Sequence, residues 1–190
     1  MIIPNYIQKK PNGTEKTIAP LDQLLSDRII LLFGEVNDEL AAGVIAQLLT
    51  LESIDASSDI QLYINSVGGT TTAGMAIYDV MRRLRCDVST ISCGLSASMG
   101  AFLLAAGTRG KRIALQNSQI MIHQVLGSAN GQASDVEIAA RNLLQVRTRI
   151  NALLSEFTGM PVDVLQTLCD RDCWMTADEA KQHGIVDCVL

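Results

Sequence analysis

Long apolar runs are missing from this chain: none approaches the ~20 consecutive residues that span a bilayer. The first residues, Met1-Ile2-Ile3-Pro4-Asn5, lack the basic region and cleavage site of a secretory leader. A soluble, non-secreted protein is the expectation, and the short start without a transit-like extension favours a cytoplasm over an organelle stroma. Basic residues are few: fifteen Lys and Arg against twenty Asp and Glu give a net charge of −5, with no basic group larger than Arg82-Arg83 or Lys111-Arg112. That excludes a polyanion-binding surface, so nucleic acid is not an expected partner. The five cysteines (Cys86, Cys93, Cys169, Cys173, Cys188) are odd in number and form no Cys-x-x-Cys, which argues against both a disulfide framework and zinc. Free thiols in a reducing compartment are expected. Aromatics make up only 4% of residues while apolar types make up 48%, so the core must come from Leu, Ile, Val and Ala, as in α/β proteins. At 190 residues the chain suits one domain that buries roughly 70% of its unfolded surface.

What is present is an alternation of strand and helix patterns. Residues 1–20 are polar, carry Pro4, Pro11, Gly13 and Pro20, and lack periodicity, so a mobile arm or loop is predicted there. A short helical pattern from Leu21 leads into an apolar run, Arg28 to Phe33, and Asn37 or Asp38 can cap a helix marked by Leu40, Val44, Leu48 and Leu51. The unit then repeats. Asp59 to Asn65 reads as a strand, Ser66 to Gly69 as a glycine turn and Thr71 to Leu84 as a helix; Asp87 to Ser92 reads as a strand and Gly94 to Gly107 as a tight elbow with its helix. Such alternation predicts a parallel sheet with chemistry at the carboxyl ends of its strands. Beyond it lie short β-like runs at Arg112 to Leu115 and Gln119 to His123, then a loop from Gly127 to Gly131. Ser134 to Phe157 follows as a helix of about six turns, too long for one small sheet and expected to project against another copy. Val162 to Leu168 predicts a short helix and Cys173 to Met175 a short strand; a capping box at Thr176-Ala177-Asp178-Glu179 opens a last helix closed by Gly184, and Ile185 to Leu190 forms a final strand.

The elbow, Ser92 to Ala106, carries the chemistry. A serine between a strand and a helix start is held clear of its own backbone, while the unpartnered amides of the first helical turn point the same way and can stabilise an oxyanion. Of three serines Ser98 fits best, because Ser96 to Gly100 reads Ser-x-Ser-x-Gly; Ser92 belongs to the strand and Ser96 lacks a glycine two residues on. An isolated match of this kind is far more often a helix cap. Acyl transfer also needs a base and a group to orient it. Only two histidines exist: His183 sits at a helix end among polar residues, and His123 ends an apolar strand before a glycine-bearing loop. For the acid, Asp172 adjoins a strand and Asp170 reads as a surface partner of Arg171, a choice that spacing alone leaves open.

Ser96-Ala97-Ser98-Met99-Gly100-Ala101-Phe102-Leu103-Leu104, Met121-Ile122-His123-Gln124 and Asp170-Arg171-Asp172, with Tyr63-Ile64-Asn65-Ser66 followed by Gly68-Gly69 and then Ala73-Gly74, closely resemble the proteolytic subunit of the ATP-dependent Clp protease, ClpP, over nearly the whole chain. The resemblance implies Ser98 as nucleophile, His123 as general base, Asp172 as the acid that orients it, and the amides of Gly69 and Met99 as an oxyanion hole. It implies the ClpP/crotonase-like fold, with residues 1–20 as an axial arm and 134–157 as a handle helix in two stacked seven-membered rings. Gly127 and Gly131 would flank a substrate strand, Arg171 would bridge rings, and Tyr63 and Leu190 would dock an AAA+ unfoldase such as ClpX, ClpA or ClpC. ATP would be consumed by that partner, no cofactor or metal would be needed here, and unfolded proteins would be the substrate. The chain departs from the family pattern at Val67, where proline usually precedes the paired glycines, at Val125 and Ser128, and at Gln61 and Ile113, where aromatics are usual. A weakly active or structural paralogue in a mixed ring, and a crotonase-like acyl-CoA enzyme, are the alternatives; the latter would not need Ser98, His123 and Asp172 together.

Overall fold

The structure, a computed structural model, describes residues 3–9 and 13–190. In chain order it contains β1 (Tyr6–Lys9), β2 (Glu15–Ile18), α1 (Pro20–Ser26), β3 (Ile29–Val36), α2 (Asp38–Ile54), β4 (Ile60–Gly69), α3 (Thr71–Arg83) and β5 (Val88–Ala97). Then follow α4 (Met99–Ala105), β6 (Arg112–Ala114), β7 (Gln119–Ile122), α5 (Ala133–Thr158), α6 (Val162–Leu168), β8 (Cys173–Thr176), α7 (Ala177–Gln182) and β9 (Cys188–Val189). The predicted α/β class with a mostly parallel sheet is the observed one: β3, β4, β5, β6 and β9 pair in that order, all parallel.

The helices form where local signals put them. Asn37 accepts the Leu40 N–H at 2.9 Å to start α2, and Thr176 and Glu179 form the reciprocal capping box of α7. Along β4, inward residues alternate with outward ones, so that Ile60, Leu62 and Ile64 are fully buried in the core. All seven residues of α4 are buried, as expected of a helix that is apolar all round. Three of the seven aromatics, Tyr78, Phe102 and Phe157, form one cluster, with ring centroids 5.4–5.5 Å apart. Arg112, 4% exposed, pairs with Asp187 and donates to the carbonyls of Phe157 (2.9 Å) and Ala105 (3.3 Å), tying the ends of α4 and α5 to the C-terminal segment.

Several boundaries differ from expectation. The stretch expected to lack structure, residues 1–20, carries the antiparallel β1–β2 hairpin; residues 1, 2 and 10–12 of that stretch lie outside the described residues. Ser66 to Gly69 is not a turn: β4 runs through it, paired to β3 up to Val36 and Gly69, with a register irregularity against β5 between Ile64 and Ser66. β5 likewise passes Ser92. Its first half pairs with β6, and its second half, beyond Gly94 (φ +90), pairs with β7 through Leu95, Ser96 and Ala97, so the helix starts only at Met99. The final strand is reduced to Cys188–Val189. In α5 the buried residues are Ile150, Asn151 and Leu154, all in its C-terminal half; the preceding turns leave Ile138 and Leu144 more than half exposed, so the helix projects.

Candidate active site

The carboxyl ends of β4, β5 and β7 converge on Ser98. Its φ of 54° and ψ of −119° are unusual for a residue with a side chain, a conformation that costs of order 1–3 kcal/mol and must be held by its surroundings. Two backbone bonds hold it: the Ser98 N–H donates to Met121 O at 2.8 Å, and its carbonyl accepts the Phe102 N–H at 3.0 Å as α4 begins. Ser92 and Ser96 are both fully buried and hydrogen-bond to each other, Oγ to Oγ, at 2.7 Å. Of the three serines, only Ser98 opens onto the cleft.

His123 follows β7, and its Nε2 lies 2.9 Å from Ser98 Oγ while its Nδ1 lies 3.1 Å from Asp172 Oδ1. With the ring proton on Nδ1 that nitrogen donates to the carboxylate, leaving Nε2 to accept the serine hydroxyl. Strand register explains the meeting. β8 is antiparallel to β7 with Cys173 opposite Ile122, so the residue before Cys173 faces the residue after Ile122. Asp170 instead turns its side chain outward near Arg171 at 3.9 Å, and its carbonyl accepts Gln124 Nε2 at 2.9 Å. His183 is the C-cap residue of α7, and it is His123 whose ring nitrogen lies within hydrogen-bond distance of Ser98.

Glycine is required at two positions opposite the serine. A Cβ on Gly69 (φ +153) would fall 2.2 Å from Val36 O, and one on Gly68 (φ +91) would fall 2.6 Å from Ser98 Cβ and 3.0 Å from Met99 N. Backbone amide and elbow can approach this closely only without side chains. Together Val67, Gly69, Ser98, His123, Val125 and Leu126, with others, line a cleft of about 260 Å³. It continues into an apolar groove of about 530 Å³ between residues 125–129 and α5, where Gly127 sits against Leu143. Gly131 (φ +137) ends that exposed loop. Arg171 projects into solvent, its side chain 87% exposed. Tyr63, on the sheet's outer face, and Leu190, 68% exposed, line neither cavity. The departures Val67 and Val125 both line the cleft, and Val67 is 62% exposed at its rim.

Sequence reasoning missed three contributors: Val36, which seats Gly69; Thr71, which lines both cavities; and Ser66, whose Oγ accepts the Gly68 N–H at 3.0 Å. Only the serine had a signal, its place just before paired glycines. Among the described residues no three His, Cys, Asp or Glu side chains gather to hold a metal ion, and no helix is long and apolar enough to cross a membrane. A sequence model of the family described as Clp protease matches residues 12–190.

Proposed function

The chain belongs to the Clp protease family, and on that premise we propose that it is the serine endopeptidase subunit of a barrel-shaped, ATP-dependent protease that cuts unfolded proteins into short peptides. The observation that carries this reading is the hydrogen-bonded series Asp172–His123–Ser98, with spacings of 3.1 and 2.9 Å, at a strained elbow in an open cleft. Ser98 Oγ attacks the peptide carbonyl carbon as its proton passes to His123 Nε2, and Asp172 holds the ring and its positive charge. The carbonyl oxygen, now anionic, is bound by the amides of Gly69 and Met99, the second being among the helical N–H groups without an intrahelical partner. The C–N bond breaks as His123 returns the proton to the leaving amine, and water then releases the acyl group by the same route.

An extended substrate fits the loop from residue 126 to Gly131 as an added strand, with side chains entering the apolar groove beneath α5. α5 serves as the handle between two seven-membered rings, aided by Arg171, and its exposed apolar residues support that role. Unfolded chains arrive from an AAA+ unfoldase docked at Tyr63 and Leu190, in the cytoplasm. Intact-mass analysis after a fluorophosphonate probe, with peptide mapping and particle size from the same sample, tests the reading. One adduct on Ser98 in a fourteen-subunit particle is expected, and Ser98→Ala lowers peptide hydrolysis about a thousandfold or more. An intact ring without adduct refutes the active subunit in favour of a structural paralogue.

A further inference from the structure

Beside the nucleophile, two consecutive glycines with φ of +91° and +153° present one of the two proposed oxyanion donors. Glycine admits many conformations, so something else must select this one. Val67 cannot: it is exposed, and its side chain is apolar. The side chain that grips the segment is Ser66, 2% exposed, whose Oγ accepts the Gly68 N–H at 3.0 Å inside the core. The same side chain also faces the helix that carries the other donor. A Cβ on Gly100 would stand 3.1 Å from Ser66 O and 3.2 Å from Ser66 Cβ, so the first turn of α4 leans directly on Ser66. Ser66 is also the residue at which β4 regains register with β5, opposite Ser96.

We infer that Ser66 is a positioning residue: it sets the separation between the Gly69 and Met99 amides by holding the Gly68 amide while its side chain and carbonyl support the first turn of α4. The inference rests on the reading of those amides as the oxyanion hole. Alanine at this position leaves the Gly68 N–H buried without its acceptor and frees the glycine pair, while Ser98, His123 and Asp172 keep their contacts. The transition state alone then loses stabilisation.

The test compares wild type, Ser66→Ala and Ser66→Cys on a short fluorogenic peptide and on a peptide aldehyde, whose hemiacetal oxygen on Ser98 occupies the oxyanion position. For Ser66→Ala the expected result is a fall in kcat of about 10- to 100-fold with KM within about twofold, the signature of an interaction made only in the transition state. Aldehyde affinity falls by the same factor as kcat, binding of the matching peptide amide does not change, and the midpoint of the pH–rate profile stays in place. Ser66→Cys, which keeps the bulk and offers a weaker acceptor, falls between the two. A folded variant with wild-type kcat and aldehyde affinity overturns the inference, as does a loss expressed in KM or in a shifted pH profile. Failure of both variants to fold assigns Ser66 to the fold alone and also overturns it. A wild-type chain that forms no adduct on Ser98 refutes the peptidase reading itself, a separate result.

Discussion

Gly69→Ala puts the proposed oxyanion donor to the test through sterics alone. The new Cβ would meet Val36 O at 2.2 Å and Val36 C and N at 2.8 Å, where 3.4 Å is ordinary contact, and every atom it meets is backbone. Neither side can swing away as a side chain would. Val36 O is moreover already committed, accepting the Thr70 N–H at 2.8 Å, so pushing it back breaks a bond that closes β3 onto β4. The relief must therefore come from moving Gly69 itself by about 1 Å, a misplacement that elsewhere costs roughly a hundredfold in rate. Outright loss of one oxyanion donor costs about 10²–10³ in kcat, or about 2.7–4 kcal/mol. A side chain at φ +153 adds strain of order 1–3 kcal/mol, small against a typical domain stability of about 5–15 kcal/mol. At about 2–4 °C per kcal/mol for a chain of this length, Tm drops by about 2–12 °C and the protein still folds. Steady-state kinetics on a short peptide, beside a thermal melt, should show kcat reduced about 100- to 1,000-fold with KM nearly unchanged. Wild-type kcat in a folded Gly69→Ala protein, or a loss carried wholly by KM, refutes the assignment of this amide.

Gly43→Ala is the counterpart: inside α2, with nothing within 4 Å of the added Cβ, it should raise stability by about 1 kcal/mol and leave kcat untouched, as a melt and an assay will show. Asp187→Asn removes the carboxylate that Arg112 faces in a nearly buried position and should cost about 3 kcal/mol at neutral pH. Burial pushes the Asp187 carboxyl up, but hydrogen bonds from Arg112 and Gly110 and the guanidinium charge outweigh it, so the group is held below its ordinary value. The pair's stabilisation is thus complete above the ordinary aspartate pKa of about 3.9 and lost as pH falls through the lower folded value. Denaturation curves of wild type and variant should converge in strong acid, and a gap that persists there contradicts the ionic assignment. Arg171→Ala should leave the melt of the single chain within about 0.5 kcal/mol, since the side chain is 87% exposed, yet release single rings on a sizing column if the residue bridges them; unchanged particle size refutes the bridging role.

Local signals in the chain were enough for much of the architecture. Apolar periodicity marked α2, α3 and α5, Asn37 or Asp38 and the Thr176–Glu179 box announced two helix starts, and the strand–helix alternation predicted the parallel sheet, because each of these rests on short-range sequence patterns. The motif around Ser98, the position of His123 at a strand end and the adjacency of Asp172 to a strand were likewise legible as candidates. Spacing singled out Ser98 among three serines and left two acids open. Only the tertiary structure buries Ser92 and Ser96 against each other, and only the antiparallel register of β7 and β8 sets Asp172 rather than Asp170 opposite His123. The extension of β4 through Gly69 and of β5 to Ala97 depends on pairing with β3 and β7, and the grip of Ser66 on Gly68 depends on both being driven into the core beside α4. What the sequence by itself determined was most of the helices and sheet strands beyond residue 20 and the stock of reactive side chains, since these follow from short-range propensity. Which of those side chains meet, and at what distance, was decided by strand register, a long-range property that no short window of residues contains.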